Sequence, residues 1–220
     1  MNSFVDTNVS IAYTFLIDPL NNNSINSFRE YVNIFWSKLV KKEFNNVFIS
    51  KKEVLVRFYK KLLNDLKQES IHNLTIDDLE KYVKQGNYSK RDYNQIKGSL
   101  SYFWDRYLVN ESFPSLVSLE NAINLCLRDL RIMSYTRKSE LENNLQLTSE
   151  RQRKYSNLNN KLRRNGVHPP DNEIILDAHD YNLNTSHDLD FLTFDKKCCK
   201  GAKLQDFSFH DVKYKSDFTF

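Results

Sequence analysis

The chain has 220 residues, 40% of them hydrophobic and 13% aromatic, which indicates a globular protein with a sizeable core and excludes a disordered chain. Only four Gly and four Pro are present, which argues against an all-β fold built on tight turns, so we expect helices to dominate. Three cysteines give no disulfide framework, and neither a secretory signal nor a membrane-spanning run is visible. We therefore expect a cytoplasmic protein that makes no membrane contact.

The charge is unevenly distributed along the chain. Residues 51–165 hold 22 Lys and Arg against 14 Asp and Glu, a net charge of +8, whereas the remainder holds 10 against 14, a net charge of −4. A basic middle between acidic ends could bind a polyanion while holding a cation elsewhere. A solvated helical surface rich in Lys and Arg would give the same composition, so charge alone leaves both interpretations open.

The first part of the chain predicts alternating strands and helices. Residues 3–6 (SFVD) are typical of a short buried strand with Asp6 at its end. Residues 25–42 place apolar side chains at helical spacing, residues 46–50 (NVFIS) predict a second strand, and residues 51–67 predict a helix. This order is that of a parallel α/β sheet.

The middle of the chain departs from that order. Residues 75–86 predict a helix with a capping box between Thr75 and Asp78 and an end at Gly86. Helices are also predicted over 89–108, 115–138 and 148–164, with no Val- or Ile-rich strand among them. We therefore predict that residues 58–165 form an all-helical insertion or cap, between core segments 1–57 and 166–220.

The end of the chain returns to the α/β order. Residues 165–171 (NGVHPPD) interrupt the preceding helix, with Asn165 and Gly166 as its C-terminal cap, and place Asp171 at the entry to the next helix. Residues 189–194 (LDFLTF) predict a strand with Asp195 just beyond it, and residues 206–214 predict a last strand.

Four acids lie at the ends or openings of these elements: Asp6, Glu53, Asp171 and Asp195. The carboxyl ends of parallel strands line one edge of a sheet, so these side chains should share a crevice. Clustered carboxylates repel each other unless a cation neutralises them, and hard oxygen ligands select Mg²⁺ or Mn²⁺. Such an ion with an activated water hydrolyses phosphodiesters.

Three sequence motifs carry a resemblance to a known family. FVDTN at 4–8, PPDNEIILDAH at 169–179 and FLTFD at 191–195 together resemble the signature of PIN-domain ribonucleases, a superfamily that includes the VapC-type toxins. The resemblance implies a PIN-like parallel sheet flanked by helices. It also implies a Mg²⁺- or Mn²⁺-dependent endoribonuclease, and the toxin of a toxin–antitoxin pair is one of the roles that such an enzyme could have. It implies Asp6, Asp171 and Asp195 as catalytic metal ligands.

The second acid of the family pattern is the one that fits least well. The family commonly places a Glu about one and a half turns into the helix after strand two, beyond a Ser. Ser50 is present, but Glu53 comes a turn early. Either the helix start is shifted so that Glu53 serves as the fourth acid, or that acid is missing and metal affinity is reduced.

The resemblance also implies substrate and partner contacts. Asn8 and Thr193 would orient ligands or substrate, and Lys196 and Lys197, directly after Asp195, would contact phosphates. The basic 58–165 segment would hold RNA or a protein inhibitor of the antitoxin type, and PIN-type nucleases are often homodimers.

Two alternatives remain open from the sequence. A displaced second acid would leave a PIN-like module of weak or no activity that binds nucleic acid or protein. Separately, Arg163 and His168 have the R-x4-H spacing that resembles the metal-free site of HEPN-type ribonucleases. The remaining acids and thiols are interpreted as lying outside the site: Glu173, Asp177 and Asp180 as solvated helix acids, Asp190 as an exposed strand acid, and Cys198 and Cys199 as ordinary loop residues.

Overall fold

A computed structural model describes residues 1–69, 75–107, 115–185, 188–204 and 206–219. The chain divides into two compact units. The first, here called the sheet unit, comprises Met1–Thr14, Leu20–Val47 and Arg137–Phe220. The second, here called the helical unit, comprises Phe15–Pro19 and Phe48–Thr136.

The sheet unit contains five parallel strands. They are β1 (Asn2–Val5), β2 (Asn33–Trp36), β3 (Leu145–Leu147), β4 (Leu189–Leu192) and β5 (Val212–Lys213), in the spatial order β3-β2-β1-β4-β5. Ser3 in β1 lies opposite Ile34 on one side and Asp190 on the other. The strand order reverses between β1 and β4, which makes this pair the topological switch point, where open parallel sheets bind ligands beyond their carboxyl ends.

Helices cover both faces of this sheet. Those of the sheet unit are α1 (Thr7–Thr14), α2 (Asn21–Glu30), the start of α3 (Lys38–Glu69), the end of α6 (Leu116–Asn144), α7 (Ser156–Arg164), α8 (Asp171–Thr185), α9 (Lys196–Ala202) and a 3₁₀ helix (Lys215–Phe218). The rings of Phe35 in β2 and Tyr181 in α8 are 4.9 Å apart, and those of Trp36 and Phe44 in α3 are 5.8 Å apart. Since successive strand residues point to opposite faces, α8 and the start of α3 cover opposite faces of the sheet.

The helical unit is built from the rest of α3, α4 (Ile76–Gln85), α5 (Lys90–Tyr107) and most of α6. Its core is apolar and aromatic, with large side chains that are almost wholly buried: Phe58, Tyr59, Leu62, Ile96 and Phe103. Within the described parts of the chain, no helix is long and apolar enough to cross a membrane.

The structure confirms a mixed α/β fold with a parallel sheet flanked by helices, and several of the predicted elements. The first strand ends just before Asp6, α8 begins at Asp171, and β4 lies within the predicted 189–194 strand. The Thr75–Asp78 capping box and the positive φ of 79° at Gly166 are both present. The helix predicted over 89–108 is α5; Leu108 lies outside the described residues.

Two predictions in the first fifty residues are wrong. The second strand is Asn33–Trp36, inside the helix predicted over 25–42, and the predicted 46–50 strand lies inside α3. Val32, expected to face the core, is 83% exposed. Helix α2 instead buries the small polar residues Asn21, Ser24 and Ser27, which a search for apolar spacing does not detect.

The all-helical prediction for 58–165 is also wrong in part. Residues Leu145–Leu147 form β3 at the edge of the sheet, and the helix predicted over 148–164 begins only at Ser156. A three-residue edge strand carries too little sequence pattern to be detected. The sheet unit therefore includes residues from Arg137 onward.

Candidate functional site

The site begins at the carboxyl end of β1, where Asp6 is buried at the switch point between β1 and β4. Its Oδ1 accepts a hydrogen bond from the backbone N–H of Thr7 at 2.6 Å. Its Oδ2 accepts one from Asn8 Nδ2 at 2.6 Å and one from the Thr193 hydroxyl at 2.7 Å. Asp6 is therefore fixed in orientation by residues from the ends of both strands.

Asp195 lies beyond the end of β4 and is joined to Asp6 through Thr193. The Thr193 hydroxyl accepts from the backbone N–H of Asp195 at 3.1 Å while it donates to Asp6. Asn8 strengthens the link, because its Oδ1 accepts from the backbone N–H of Phe194 at 2.8 Å. Asp195 also caps α9, with Oδ1 accepting from the N–H groups of Lys197 and Cys198.

Asp171 is the first residue of α8 and is half-buried. The sequence predicts this position because a proline pair sets the helix entry just before it. A carboxylate in the first turn of a helix is stabilised by the unpaired backbone N–H groups there. The structure thus gives Asp171 the position that the sequence analysis assigned to it.

Glu43 is an acid of the site that the sequence analysis missed. It lies in α3, the helix that directly follows β2, and its Oε2 accepts a 2.6 Å hydrogen bond from the Thr7 hydroxyl. Ser37, between β2 and α3, accepts from the backbone N–H of Val40 at 3.3 Å, as a helix-capping serine does. Glu43 therefore stands about one and a half turns into the helix beyond a Ser, the pattern that was sought at Ser50 and Glu53.

The charges of these acids act on one another. Burial, followed by the charge of Asp171 and then of Glu43, raises the pKa of Asp6 to about 7, against the opposing effect of the Thr193 and Thr7 hydrogen bonds. Burial, followed by the charges of Asp195 and Glu43, raises the pKa of Asp171 to about 6. Asp6, Glu43, Asp171 and Asp195 thus share one electrostatic environment.

Cys198 gives independent evidence that three of these acids lie together. Its thiol is buried in α9, and burial raises its pKa well above the usual value, with further increases caused by Asp6, Asp171 and Asp195. Cys199 is also buried. Both cysteines lie in α9, so the expectation that they are loop residues is wrong. A buried thiol beside carboxylates stays protonated and is a poor nucleophile.

The other predicted site residues lie in different surroundings. Lys196 and Lys197 are exposed in the first turn of α9, next to Asp195. Glu53 does not open a helix: it lies in the middle of α3, in the helical unit, ten residues beyond Glu43. Ten residues of helix span about 15 Å. Glu53 was expected at the sheet edge because residues 46–50 were predicted to form the second strand, and that prediction is wrong.

Both residues of the rival Arg163–His168 motif lie at the surface. Both side chains are exposed, Arg163 near the end of α7 and His168 in the turn before α8. No hydrogen bond or ion pair joins them among the residues that the structure describes. The geometry therefore offers no support for this site.

Several acids interpreted as solvated are instead structural partners. Asp180 is 2% exposed and accepts from the Tyr155 hydroxyl at 2.8 Å and the Gln152 N–H at 3.0 Å. Asp190 is 3% exposed and accepts from the Tyr31 hydroxyl at 2.7 Å, so the prediction of an exposed strand acid is wrong. Arg151 pairs with Glu173 at 2.5 Å and with Asp177 at 3.7 Å.

The donor set fits a hard divalent cation in its chemistry. Carboxylates are the ligands that Mg²⁺ and Mn²⁺ prefer, and among the described residues no lysine or arginine ranks with the main influences on the pKa of Asp6 or Asp171. In the same described parts of the chain, no three His, Cys, Asp or Glu side chains form a group ready to hold a metal. An ion bound here would compete with the hydrogen bonds to Asp6 and Asp195.

Comparison of the chain with protein-family models, with curated proteins and with solved structures gives no match in any of the three.

Proposed function

We propose that the protein is a PIN-like endoribonuclease that requires Mg²⁺ or Mn²⁺. The single observation that supports this most strongly is a chain of hydrogen bonds, in which Thr7 joins Glu43 to Asp6 and Thr193 joins Asp6 to the backbone of Asp195. The charge of Asp171 acts on the same group and raises the pKa of Asp6. Clustered carboxylates in a partly buried crevice raise one another's pKa, and a bound cation would keep them ionised at neutral pH.

In this proposal Asp6, Asp171 and Asp195, together with Glu43, hold the metal. The ion, when bound, supplies a water of lowered pKa and stabilises negative charge on a phosphodiester. Asn8 and Thr193 orient Asp6, and the Thr7 hydroxyl orients Glu43. Because Thr193 is fully buried, its proposed role is to orient Asp6. Of the two roles that the sequence left open, orienting ligands or orienting substrate, this is the first.

Substrate contacts are proposed for the exposed residues beside the site. Lys196 and Lys197 follow Asp195 directly and carry positive charge into solvent, where they would pair with RNA phosphates. Such contacts make binding weaken as salt concentration rises. A role as the toxin of a toxin–antitoxin pair remains part of the proposal by resemblance only.

The test is RNA cleavage by the purified chain with Mn²⁺, Mg²⁺ or chelator, using mixed transfer and ribosomal RNA. We expect cleavage only with a divalent ion, and Asp6→Asn should abolish it while RNA binding and folding persist. Asp188→Asn, which changes an exposed acid just before β4, is the matched control and should retain activity. Cleavage that survives in chelator and is lost in His168→Ala would overturn the proposal in favour of the Arg163–His168 site.

The alternative of an inactive PIN-like binding module rested on the absence of a suitable second acid. Glu43 supplies an acid at that position, so this particular reason no longer holds. RNA binding that is unaffected by Asp6→Asn, with no cleavage by the parent chain under any divalent ion, is the result that would favour the binding module.

A further inference from the structure

The helical unit contains a large cavity that the proposed nuclease site does not use. Its volume is about 580 Å³, within the range typical of ligand sites. Most of its wall is apolar and comes from segment 15–19, α3 and α6, with these principal side chains: Phe15, Ile17, Leu55, Val56, Leu127 and Leu130. At the mouth, Leu16 is 37% exposed and Val56 is 39% exposed, so apolar surface continues out of the cavity.

Positive charge surrounds this apolar surface. Among the described residues that line the cavity, Lys52, Arg57, Arg128 and Arg131 are basic and Glu53 is the one acid. Arg128 contacts its sequence neighbour Asp129 at 3.6 Å, and the side chains are 64% and 35% exposed. Among the described residues, Lys52, Arg57 and Arg131 have no acidic partner within ion-pair distance; Lys52 instead contacts the Tyr135 hydroxyl at 2.5 Å. The positive charge is therefore available to a ligand.

The walls of the cavity are two long helices, α3 with 32 residues and α6 with 29. An apolar groove between helices, with charge along its rim, is the geometry that receives the apolar face of an amphipathic helix. Because four basic side chains and one acidic side chain line this cavity, it favours a helix whose flanks are acidic.

We propose that this cavity is the docking site for an acidic amphipathic helix of a partner protein. The apolar face of that helix enters between Leu55 and Leu130, and its acidic flanks pair with Arg57 and Arg131. This inference does not depend on the proposed nuclease activity, because it uses only residues of the helical unit. A nucleic acid is a poorer occupant, since its phosphates would leave the apolar wall uncovered.

The test uses the full chain and labelled synthetic peptides of 18 residues. One carries Leu at positions i, i+3, i+4 and i+7 with Glu on the remaining face, a second replaces each Glu by Lys, and a third scrambles the first. Fluorescence anisotropy should show binding of the acidic peptide at least about tenfold tighter than either of the others. Equal binding of the scrambled peptide, or no preference for the acidic one, overturns the proposal.

Variants locate the interaction. Arg57→Glu combined with Arg131→Glu should weaken binding of the acidic peptide by at least about tenfold and strengthen binding of the Lys peptide, because the charge along the rim is reversed. Val56→Asp should weaken the binding of both peptides. Lys60→Glu combined with Lys81→Glu makes the same charge change at exposed sites that do not line the cavity, and it should leave peptide binding unchanged.

Two outcomes of these variants contradict the proposal. Equal effects of the cavity pair and the control pair would mean that net charge, and not this cavity, determines binding. Loss of binding to single-stranded RNA in the cavity pair, with peptide binding intact, would assign the surface to nucleic acid. Unfolding temperatures of all variants show whether any loss of binding is a loss of fold.

Discussion

The Thr7 hydroxyl donates a 2.6 Å hydrogen bond to Glu43 Oε2, which joins the start of α1 to α3 beside Asp6. Thr7 immediately follows Asp6, whose Oδ1 accepts from the Thr7 backbone N–H. One residue thus holds two acids of the site, with its backbone and with its side chain. This connection makes Glu43, and not Glu53, the fourth acid in the proposed catalytic set.

The first prediction compares Glu43→Gln with Glu53→Gln. Both variants neutralise a glutamate in the same helix, so their effects on helix stability should be similar. Glu43→Gln should reduce metal-dependent RNA cleavage by about 100-fold or more, because it removes one charge from the cation site. Glu53→Gln should stay within about threefold of the parent, since it lies in the helical unit. Rates of RNA cleavage at saturating Mn²⁺ provide the measurement, and similar losses in both variants would contradict the assignment of Glu43.

Glu43 was not identified from the sequence because its recognition depends on the position of the second strand. Three acids lie in motifs that carry their own local context: Asp6 and Asp195 follow short apolar strands, and Asp171 follows a proline pair. Glu43 can be recognised only when the second strand is placed correctly. That strand, NIFW, is buried on both faces, so it shows no alternation.

The helix predicted over 25–42 illustrates the same limit. Phe28, Val32, Phe35 and Leu39 fall at helical spacing, yet a backbone change from helix to strand occurs within that run. The actual helix α2 packs on α1 through polar contacts: the Ser24 hydroxyl donates to the Val9 carbonyl at 2.7 Å. Burial of small polar side chains depends on tertiary partners, which apolar periodicity does not reveal.

The second prediction concerns the pH dependence of stability without metal. In the folded protein the pKa of Asp6 is about 7 and that of Asp171 is about 6, whereas both acids would have the ordinary value of 3.8 in an unfolded chain. A raised pKa favours the folded state fully below about pH 4, and this contribution is lost as pH rises through 6 to 7. Between pH 5 and 8 in chelator, the free energy of unfolding should therefore fall by about 3 kcal/mol, most of it from Asp6, because solvent screens the half-buried Asp171.

The control for this pH effect is the Asp6→Asn variant. Since asparagine does not titrate, urea unfolding of Asp6→Asn should show a clearly smaller decrease between pH 5 and 8 than the parent. Asp188→Asn, at an exposed acid, should follow the parent curve. An unchanged slope in Asp6→Asn would mean that Asp6 is ionised throughout this range.

The third prediction tests the contribution of the Thr193 hydroxyl while the volume of the side chain is kept. Thr193→Val keeps the volume of a fully buried side chain but removes its donor to Asp6 and its acceptor for the Asp195 N–H. The free energy of unfolding should decrease by about 1–3 kcal/mol, and the pKa of Asp6 should rise further because a hydrogen bond that lowers it is lost. Thr193→Ser keeps the hydroxyl and should retain the parent pH profile. A valine variant as stable as the parent would show that this hydrogen bond contributes little.

The fourth prediction tests the buried acid at the other end of the sheet. The Tyr31 hydroxyl donates to Asp190 Oδ2 at 2.7 Å, and Asp190 is the second residue of β4. Tyr31→Phe removes a hydrogen bond to a buried carboxylate and should lower the free energy of unfolding by about 1.5–3 kcal/mol. RNA cleavage measured well below the unfolding temperature should be unchanged, because neither residue belongs to the proposed site. Lost activity in a folded Tyr31→Phe protein would link Asp190 to catalysis.

The fifth prediction concerns packing in the helical unit at Gly98 of α5. A Cβ added there would lie 2.6 Å from the backbone carbonyl oxygen of Ile17, a contact that side-chain rotation cannot relieve. Gly98→Ala should therefore destabilise the protein, although alanine is favoured over glycine by about 1 kcal/mol in a helix interior. Ser101→Ala, at an exposed position of the same helix, should change the free energy of unfolding by less than about 0.5 kcal/mol. Chemical unfolding of both variants is the measurement, and a stabilised Gly98→Ala would mean that α5 does not pack this closely against the 15–19 segment.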